Sequence, residues 1–466
     1  MLVELLSAGV DEAPEQAARA LWSLVDSNLG ASSTIARAGE PAVLVQLLLR
    51  QGIPEAGKDY ALWSLSISIN AETQHIVAEA GGVKPLIEQL SQPRAVIQQQ
   101  AAAALAKLAE GNDETRAAIT QGGGVKPLIQ LIATGDHEEK KDPYSAFRSS
   151  LGSKGGSLGA PRGPAGAGAA SANIKPRLIV DPKVTKNAAD ALANLAIEPT
   201  ARDEIVQLGG VKYLVALLTA SGAADAAEPP TDVAGSRETA TATSKQAVVG
   251  GSATSEQTPE SNSAQRSAST ALARLSRDHE ATQLHVATEG AIGPLVALLD
   301  GSHGAGEQQE AASALYELAD HERNRQAITE ADGLGRLVSL LAVENPKARE
   351  HAEGALVRLS IENANRVLII QKLVAMVQHA DTGQEMAAAA IANLARESDE
   401  NRSSIVNADG ITPLLALLDS NSGTAKENAV SAITELCRGS TANQGAQLRV
   451  PHSDLARPSD CRSARP

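Results

Sequence analysis

The chain repeats itself, and that constrains its fold more than any other feature of the sequence. The segment Ala20-Leu21-Trp22-Ser23-Leu24 recurs as Ala61 to Leu65, Ala104 to Leu108, Ala191 to Leu195 and Ala271 to Leu275. Further copies run Ala314 to Leu318, Ala355 to Leu359, Ala390 to Leu394 and Ala432 to Leu436. A second signature alternates with it: Gly82-Val83-Lys84-Pro85-Leu86, Gly124-Val125-Lys126-Pro127-Leu128 and Gly210-Val211-Lys212-Tyr213-Leu214, with later copies from Gly290, Gly333 and Gly410. Where nothing intervenes, successive copies mostly lie 41 to 43 residues apart. A period of this size belongs to stacked helical units, none of which can bury its apolar face alone.

Local chemistry gives each unit three helices. Leu and Ala at i, i+3, i+4 and i+7 form an apolar stripe on one helix face. The glycine of the second signature is assigned the sharp reversal between a short first helix and the next. The proline after it sits in a first helical turn, where its missing N–H costs nothing. The Ala-Leu-x-x-Leu segment then marks the third helix. Aromatics make up 2% of the chain, so Ala and Leu carry the packing.

A three-helix unit with these Gly-x-x-Pro-Leu and Ala-Leu-x-Asn-Leu segments resembles the armadillo repeat. HEAT repeats share the period but usually lack this Gly-x-x-Pro-Leu turn. The resemblance implies an all-α, right-handed α–α superhelix of about nine three-helix repeats, with two disordered insertions. The expected boundaries are repeats over 1–135 (the first incomplete, 1–9 reading as a second helix) and a basic Gly/Ser/Pro-rich insertion over 136–182. One repeat continuation over 183–220 precedes an acidic Ser/Thr/Ala-rich insertion over 221–263. Repeats resume over 264–438, and a disordered tail covers 439–466. The first insertion carries Arg148, Lys154, Arg162, Lys175 and Arg177 with no acid between Arg148 and Arg177. The second leans acidic, with Asp225, Glu228, Asp232, Glu238, Glu256 and Glu260 against Arg237 and Lys245. Neither carries enough apolar surface to offset its ordering entropy. Both interrupt their repeats between second and third helices. The spacing also shrinks to 35 residues between Ala355 and Ala390, so 361–377 is expected to merge the first two helices into one.

Armadillo proteins hold extended peptides in a groove lined by third helices. In the nuclear-import adaptors an Asn ladder grips the peptide backbone, and a Trp one turn earlier sandwiches basic side chains. The ladder position here reads Ser23, Ser64, Lys107, Asn194, Arg274, Glu317, Arg358, Asn393 and Glu435. One turn earlier stand Arg19, Tyr60, Ala103, Asp190, Thr270, Ser313, Gly354, Ala389 and Ser431, none of them Trp. Without a Trp array there is no repeated cation–π slot, which points away from nuclear-signal binding. Trp22 and Trp63 are candidate rim anchors; packing between adjacent third helices is the competing reading.

Catalytic, metal and cofactor sites are not expected. His279-Glu280 is followed by His285, which misses the His-Glu-x-x-His spacing of zinc proteases. The glycine runs lack the Lys-Ser/Thr of a phosphate loop. Cys437 and Cys461 form neither a disulfide framework nor a zinc cluster. A net charge of −14 disfavours nucleic acid, and no stretch approaches the ~20 apolar residues of a membrane helix. The sequence therefore reads as a monomeric, non-catalytic protein-interaction scaffold or adaptor of the cytoplasm or nucleus, with other proteins as partners. The substrate-recognition portion of a ubiquitin ligase is the alternative, and a nuclear-import adaptor the remote one.

Overall fold

The computed structural model describes residues 6, 13–27, 40–133, 181–219, 259–379 and 383–438. These residues form helices joined by short turns. The expected tail and nearly all of both expected insertions lie outside them.

The described residues fall into two compact units. The first runs to Leu295 and takes in Ser302–Ala314; the second comprises Val296–Gly301 and the chain from Leu315 onward. In the first unit, α1 (Ala13–Ser27), α2 (Glu40–Leu49) and α3 (Glu55–Ser68) precede the complete triplet α4 (Gln74–Glu79), α5 (Val83–Leu90) and α6 (Ala95–Ala109). A second triplet follows as α7 (Asp113–Gln121), α8 (Val125–Ala133) and α9 (Pro182–Leu195). The third is α10 (Pro199–Gln207), α11 (Gly210–Thr219) and α12 (Pro259–Ser276). The helices α13 (Glu280–Thr288), α14 (Ile292–Ala297) and α15 (Ala305–Leu318) come next in the chain. The second unit holds α16 (Glu322–Glu330), α17 (Gly333–Leu340) and α18 (Pro346–Leu359), then α19 (Asn363–His379) and α20 (Gln384–Glu397). It ends with α21 (Asp399–Asn407), α22 (Ile411–Leu417) and α23 (Gly423–Cys437).

The Ala-Leu-x-x-Leu segments lie in the C-terminal parts of third helices, with most of their Ala and Leu positions packed inward. Ala104, Leu105 and Leu108 of α6, and Ala191, Leu192 and Leu195 of α9, are fully buried. Third helices pack directly on one another: α1 on α3, α3 on α6, α6 on α9 and α9 on α12 in the first unit, and α18 on α20 and α20 on α23 in the second. Alanine at the contact lets the backbones approach. As the shortened spacing requires, α19 is one uninterrupted helix of 17 residues.

Two boundaries move. The side chain of Asp181 accepts from the Lys183 N–H and Pro182 opens α9, so the third helix claims the last two residues assigned to the first insertion. Helix α12 begins at Pro259, inside the stretch assigned to the second insertion. Its polar composition reads as loop, yet proline suits a first turn, and the helical register runs on through buried Ala264, Ala268 and Ala271.

The glycine assignment is also corrected. The left-handed residue at the reversal is the one before the glycine of the signature: Gly81 (φ 79°), Gly123 (75°) and Gly209 (72°), and, in the last two such turns, Asp332 (59°) and Asp409 (55°); only at Gly290 (85°) is the signature glycine itself left-handed, with Ala291 in the following place. Gly82 has ordinary φ of −69°. It is glycine because a Cβ there would stand 2.7 Å from Val77 Cγ1 and 2.9 Å from the Val77 carbonyl oxygen. Gly124, Gly333 and Gly410 face the same obstruction from Ile119, Ile328 and Ile405.

A second recurring device holds several third-helix C-termini. Their last carbonyls lack intrahelical partners and carry the negative end of the helix dipole. An Arg or Gln in the first turn of the following short helix supplies the donor. Arg116 donates to Ala109 O at 2.8 Å, Gln283 to Ser276 O at 3.0 Å, Arg325 to Asp320 O at 2.9 Å and Arg402 to Ala395 O at 2.6 Å. The residue before it often helps: Asn324 donates to Leu318 O at 3.1 Å and Asn401 to Leu394 O at 2.8 Å.

Candidate functional site

The ladder positions do sit on third helices, but most turn their polar atoms onto the neighbouring helix. Lys107 Nζ donates to Ser66 O at 2.6 Å. Asn194 Nδ2 donates to Ala106 O at 2.9 Å, and its Oδ1 accepts from Arg274 Nη1 at 2.6 Å. Arg274 also reaches Ala193 O at 3.0 Å. In the second unit Arg358 Nη1 donates to Tyr316 O at 2.5 Å. Ala106, Ala193 and Tyr316 each immediately precede a ladder residue, so one geometry recurs: a ladder side chain bonds the carbonyl beside the previous ladder position.

The second unit adds ion pairs. Arg358 lies 3.5 Å over the Tyr316 ring, 2.9 Å from Asp320 and 3.8 Å from the buried Glu317. Gly354 makes room for that ring, since a Cβ would stand 2.7 Å from Tyr316 Cε2. Asn393 donates to Glu353 and accepts from Arg396 Nη1 at 2.7 Å. Glu435 meets Arg396 at 3.4 Å and Arg438 at 3.2 Å. Arg358, Asn393 and Glu435 are thereby engaged within their own unit.

At the N-terminal end the aromatics follow the packing reading and not the rim reading. Trp22 and Trp63 are 5% and 6% exposed. Their ring centroids are 5.1 Å apart, and Tyr60 closes the cluster at 5.6 Å from each. Stacking of α1 on α3 turns both indoles onto each other instead of onto a rim. Burial also raises the Tyr60 pKa, with Glu15 and Asp59 adding and Arg19 opposing. Ser64 is fully buried, whereas Ser23 is exposed.

What remains open lies farther along the first unit. A cavity of about 480 Å³ follows α6, α9 and α12 and reaches Glu310. Its floor holds Lys107, Asn194 and Arg274; its walls hold Lys186, Asn187, Asp190, Arg266 and Thr270. Lys186 pairs with Asp190 at 2.6 Å, and Thr270 donates to Glu310 at 3.0 Å. Burial lowers the Lys107 pKa, with only Glu110 opposing. Burial likewise lowers that of Arg274, opposed by Glu310 and Asp190 and reinforced by Arg277 and Arg116. Sequence reasoning passed over Lys186, Asn187 and Arg266. They stand seven or eight residues before a ladder position, two turns back on the same helical face, which is the signal that finds them. No His/Cys/Asp/Glu group among the described residues is arranged to hold a metal, and none of their helices is long and apolar enough to cross a membrane.

The fold and groove define a helical-repeat protein built from three-helix units. The Armadillo/beta-catenin-like repeat model matches residues 70–110 and 398–438, each a short helix, a second helix and a third helix in register. An engineered protein of known crystal structure is similar over 93% of this chain and 98% of its own, at 26% identity and a TM-score of 0.52. A designed armadillo repeat protein is similar over 76% of this chain and 99% of its own, at 18% identity and a TM-score of 0.41. A computationally designed armadillo protein for modular peptide recognition covers 68% and 98%, at 21% identity and a TM-score of 0.45. No curated protein matches the chain. With the repeat model matched at 70–110 and 398–438 and the triplet order between them, the fold is that of an armadillo-repeat solenoid.

Proposed function

We propose that this armadillo-repeat solenoid is a non-catalytic scaffold that binds extended segments of other proteins. The cavity along α6, α9 and α12 carries this reading. It is elongated across stacked third helices, lined by polar side chains, and open where the ladder further along is closed by ion pairs. The designed relative described as serving modular peptide recognition accords with it. On this reading the partners are proteins and not nucleic acid, and the chain works as a monomer in the cytoplasm or nucleus.

The test is a random-peptide display selection against the full chain, followed by affinity measurement with Asn187→Ala and Asp190→Lys. Peptides that bind wild type and lose at least about tenfold affinity to the variants, a change of ~1.4 kcal/mol, support the groove. Failure to select any peptide, or binding indifferent to both changes, overturns it.

A further inference from the structure

The cations of the cavity are held unequally. Lys186 has a carboxylate partner in Asp190. Lys107 and Arg274 donate to neutral oxygens, the Ser66 carbonyl for one and the Ala193 carbonyl with the Asn194 amide for the other. Both side chains are half-buried, and burial lowers both pKa values against the pull of Glu110 on Lys107 and of Glu310 and Asp190 on Arg274. Arg266, two turns before Arg274 on α12, is exposed at the cavity wall, and among the described residues its guanidinium has no ion-pair partner. A charge taken out of water and bonded to neutral dipoles gains most from a counter-charge brought to it. The cavity lining holds the cations Lys107, Lys186, Arg266 and Arg274 against the carboxylates Glu110, Asp190 and Glu310, a small positive excess in a chain whose net charge is −14.

We propose that the segment this groove accepts is acidic, its Asp or Glu carboxylates seated against Lys107, Arg266 and Arg274. This rests on the groove reading and adds the chemistry of the partner. Lys107 on α6 and Arg274 on α12 stand on third helices separated by α9. At ~8–10 Å between packed helices and ~3.3 Å per extended residue, about five to six residues bridge them. The charges therefore suit a run of spaced carboxylates and not a single small anion.

The experiment uses the full chain and three fluorescent peptides of about ten residues, alternating Ala with Glu, Gln or Lys, in anisotropy titrations. The Glu peptide is expected to bind most tightly, to weaken as salt rises, and to lose about tenfold in affinity with Arg266→Glu while Arg266→Lys retains it. The Arg266 side chain is exposed and only its main-chain carbonyl is engaged, by Thr270 Oγ1 at 3.0 Å, so the first change leaves the fold intact; circular dichroism and the melting transition check this. Binding of the Lys or Gln peptide in preference to Glu overturns the inference and leaves the groove reading standing. Tight Glu binding that ignores Arg266→Glu overturns it as well. If none of the three binds, both readings fail.

Discussion

Replacing Gly82 by alanine isolates one of the two glycine roles in the inter-helix turn. The new methyl group would stand 2.7 Å from Val77 Cγ1, 2.8 Å from Val45 Cγ2 and 2.9 Å from the Val77 carbonyl oxygen. Two of those neighbours are branched side chains and the third is backbone, so the turn itself must give. The chain shows how far. At the corresponding place in a later turn stands Ala291, whose N–H reaches the Val286 carbonyl at 3.3 Å; the same bond is 2.8 Å at Gly82, and 2.9 Å at Gly124 and Gly410. Overpacking of this kind costs ~1–3 kcal/mol, and loss of glycine's unfolded-state freedom returns ~0.4–1 kcal/mol. The net expectation for Gly82→Ala is a destabilisation of about 1–2 kcal/mol. Stacked repeats open locally, so the loss is read by hydrogen exchange in α4 and α5 together with the urea midpoint. Gly81→Ala is the control. Its Cβ meets nothing within 4 Å, but φ of 79° costs alanine ~1 kcal/mol. Gly81→Asp should cost less, because Asp332 and Asp409 already occupy this conformation. A neutral or stabilising Gly82→Ala would refute the close-contact explanation.

Three further changes test other parts of the structure. Asn401→Ala deletes the buried bond to Leu394 O and should cost about 1–3 kcal/mol, with faster exchange at the α20–α21 junction; unchanged exchange there would show that the cap contributes nothing. Gly354→Ala drives a methyl into the Tyr316 ring and should destabilise the second unit by about 1–3 kcal/mol, and by clearly less in a Tyr316→Ala background; equal losses in both backgrounds would break the link. Lys107 gives a pH test. Burial holds its folded pKa below the unfolded 10.5, so below that lowered value the folded state bears the cost of a desolvated charge. As pH rises from the lowered value toward 10.5 the unfolded chain binds more protons, and wild type gains stability relative to Lys107→Met. A stability difference between the two that stays flat over that window in urea titrations counts against the assignment.

The fold was legible in the sequence because its signals are local. Leu and Ala spacing fixes a helix face within one turn, and the 35-residue spacing between Ala355 and Ala390 foretells the merged α19 without knowledge of any distant contact. The two glycine roles were legible too, had the copies been compared position by position. The first place accepts Asp, as at Asp332 and Asp409, which marks left-handed backbone. The second accepts Ala at Ala291, which marks a tight contact. The recurring Asn-Arg pair at Asn324-Arg325, Asn365-Arg366 and Asn401-Arg402 carries the capping device in plain view. The site was less legible, since a side chain's availability depends on what the next repeat places beside it. Asn194 bonds a carbonyl 88 residues earlier in the chain, across an insertion, and Arg274 bonds Asn194 in turn. Pattern alone assigns both to a ligand. Only the offset between packed third helices shows that the ladder is joined to itself. The side chains two turns back, among them Arg266 and Lys186, line the cavity instead. Scaffolds of this kind are better read by asking which face positions are left over once each helix has satisfied its neighbour.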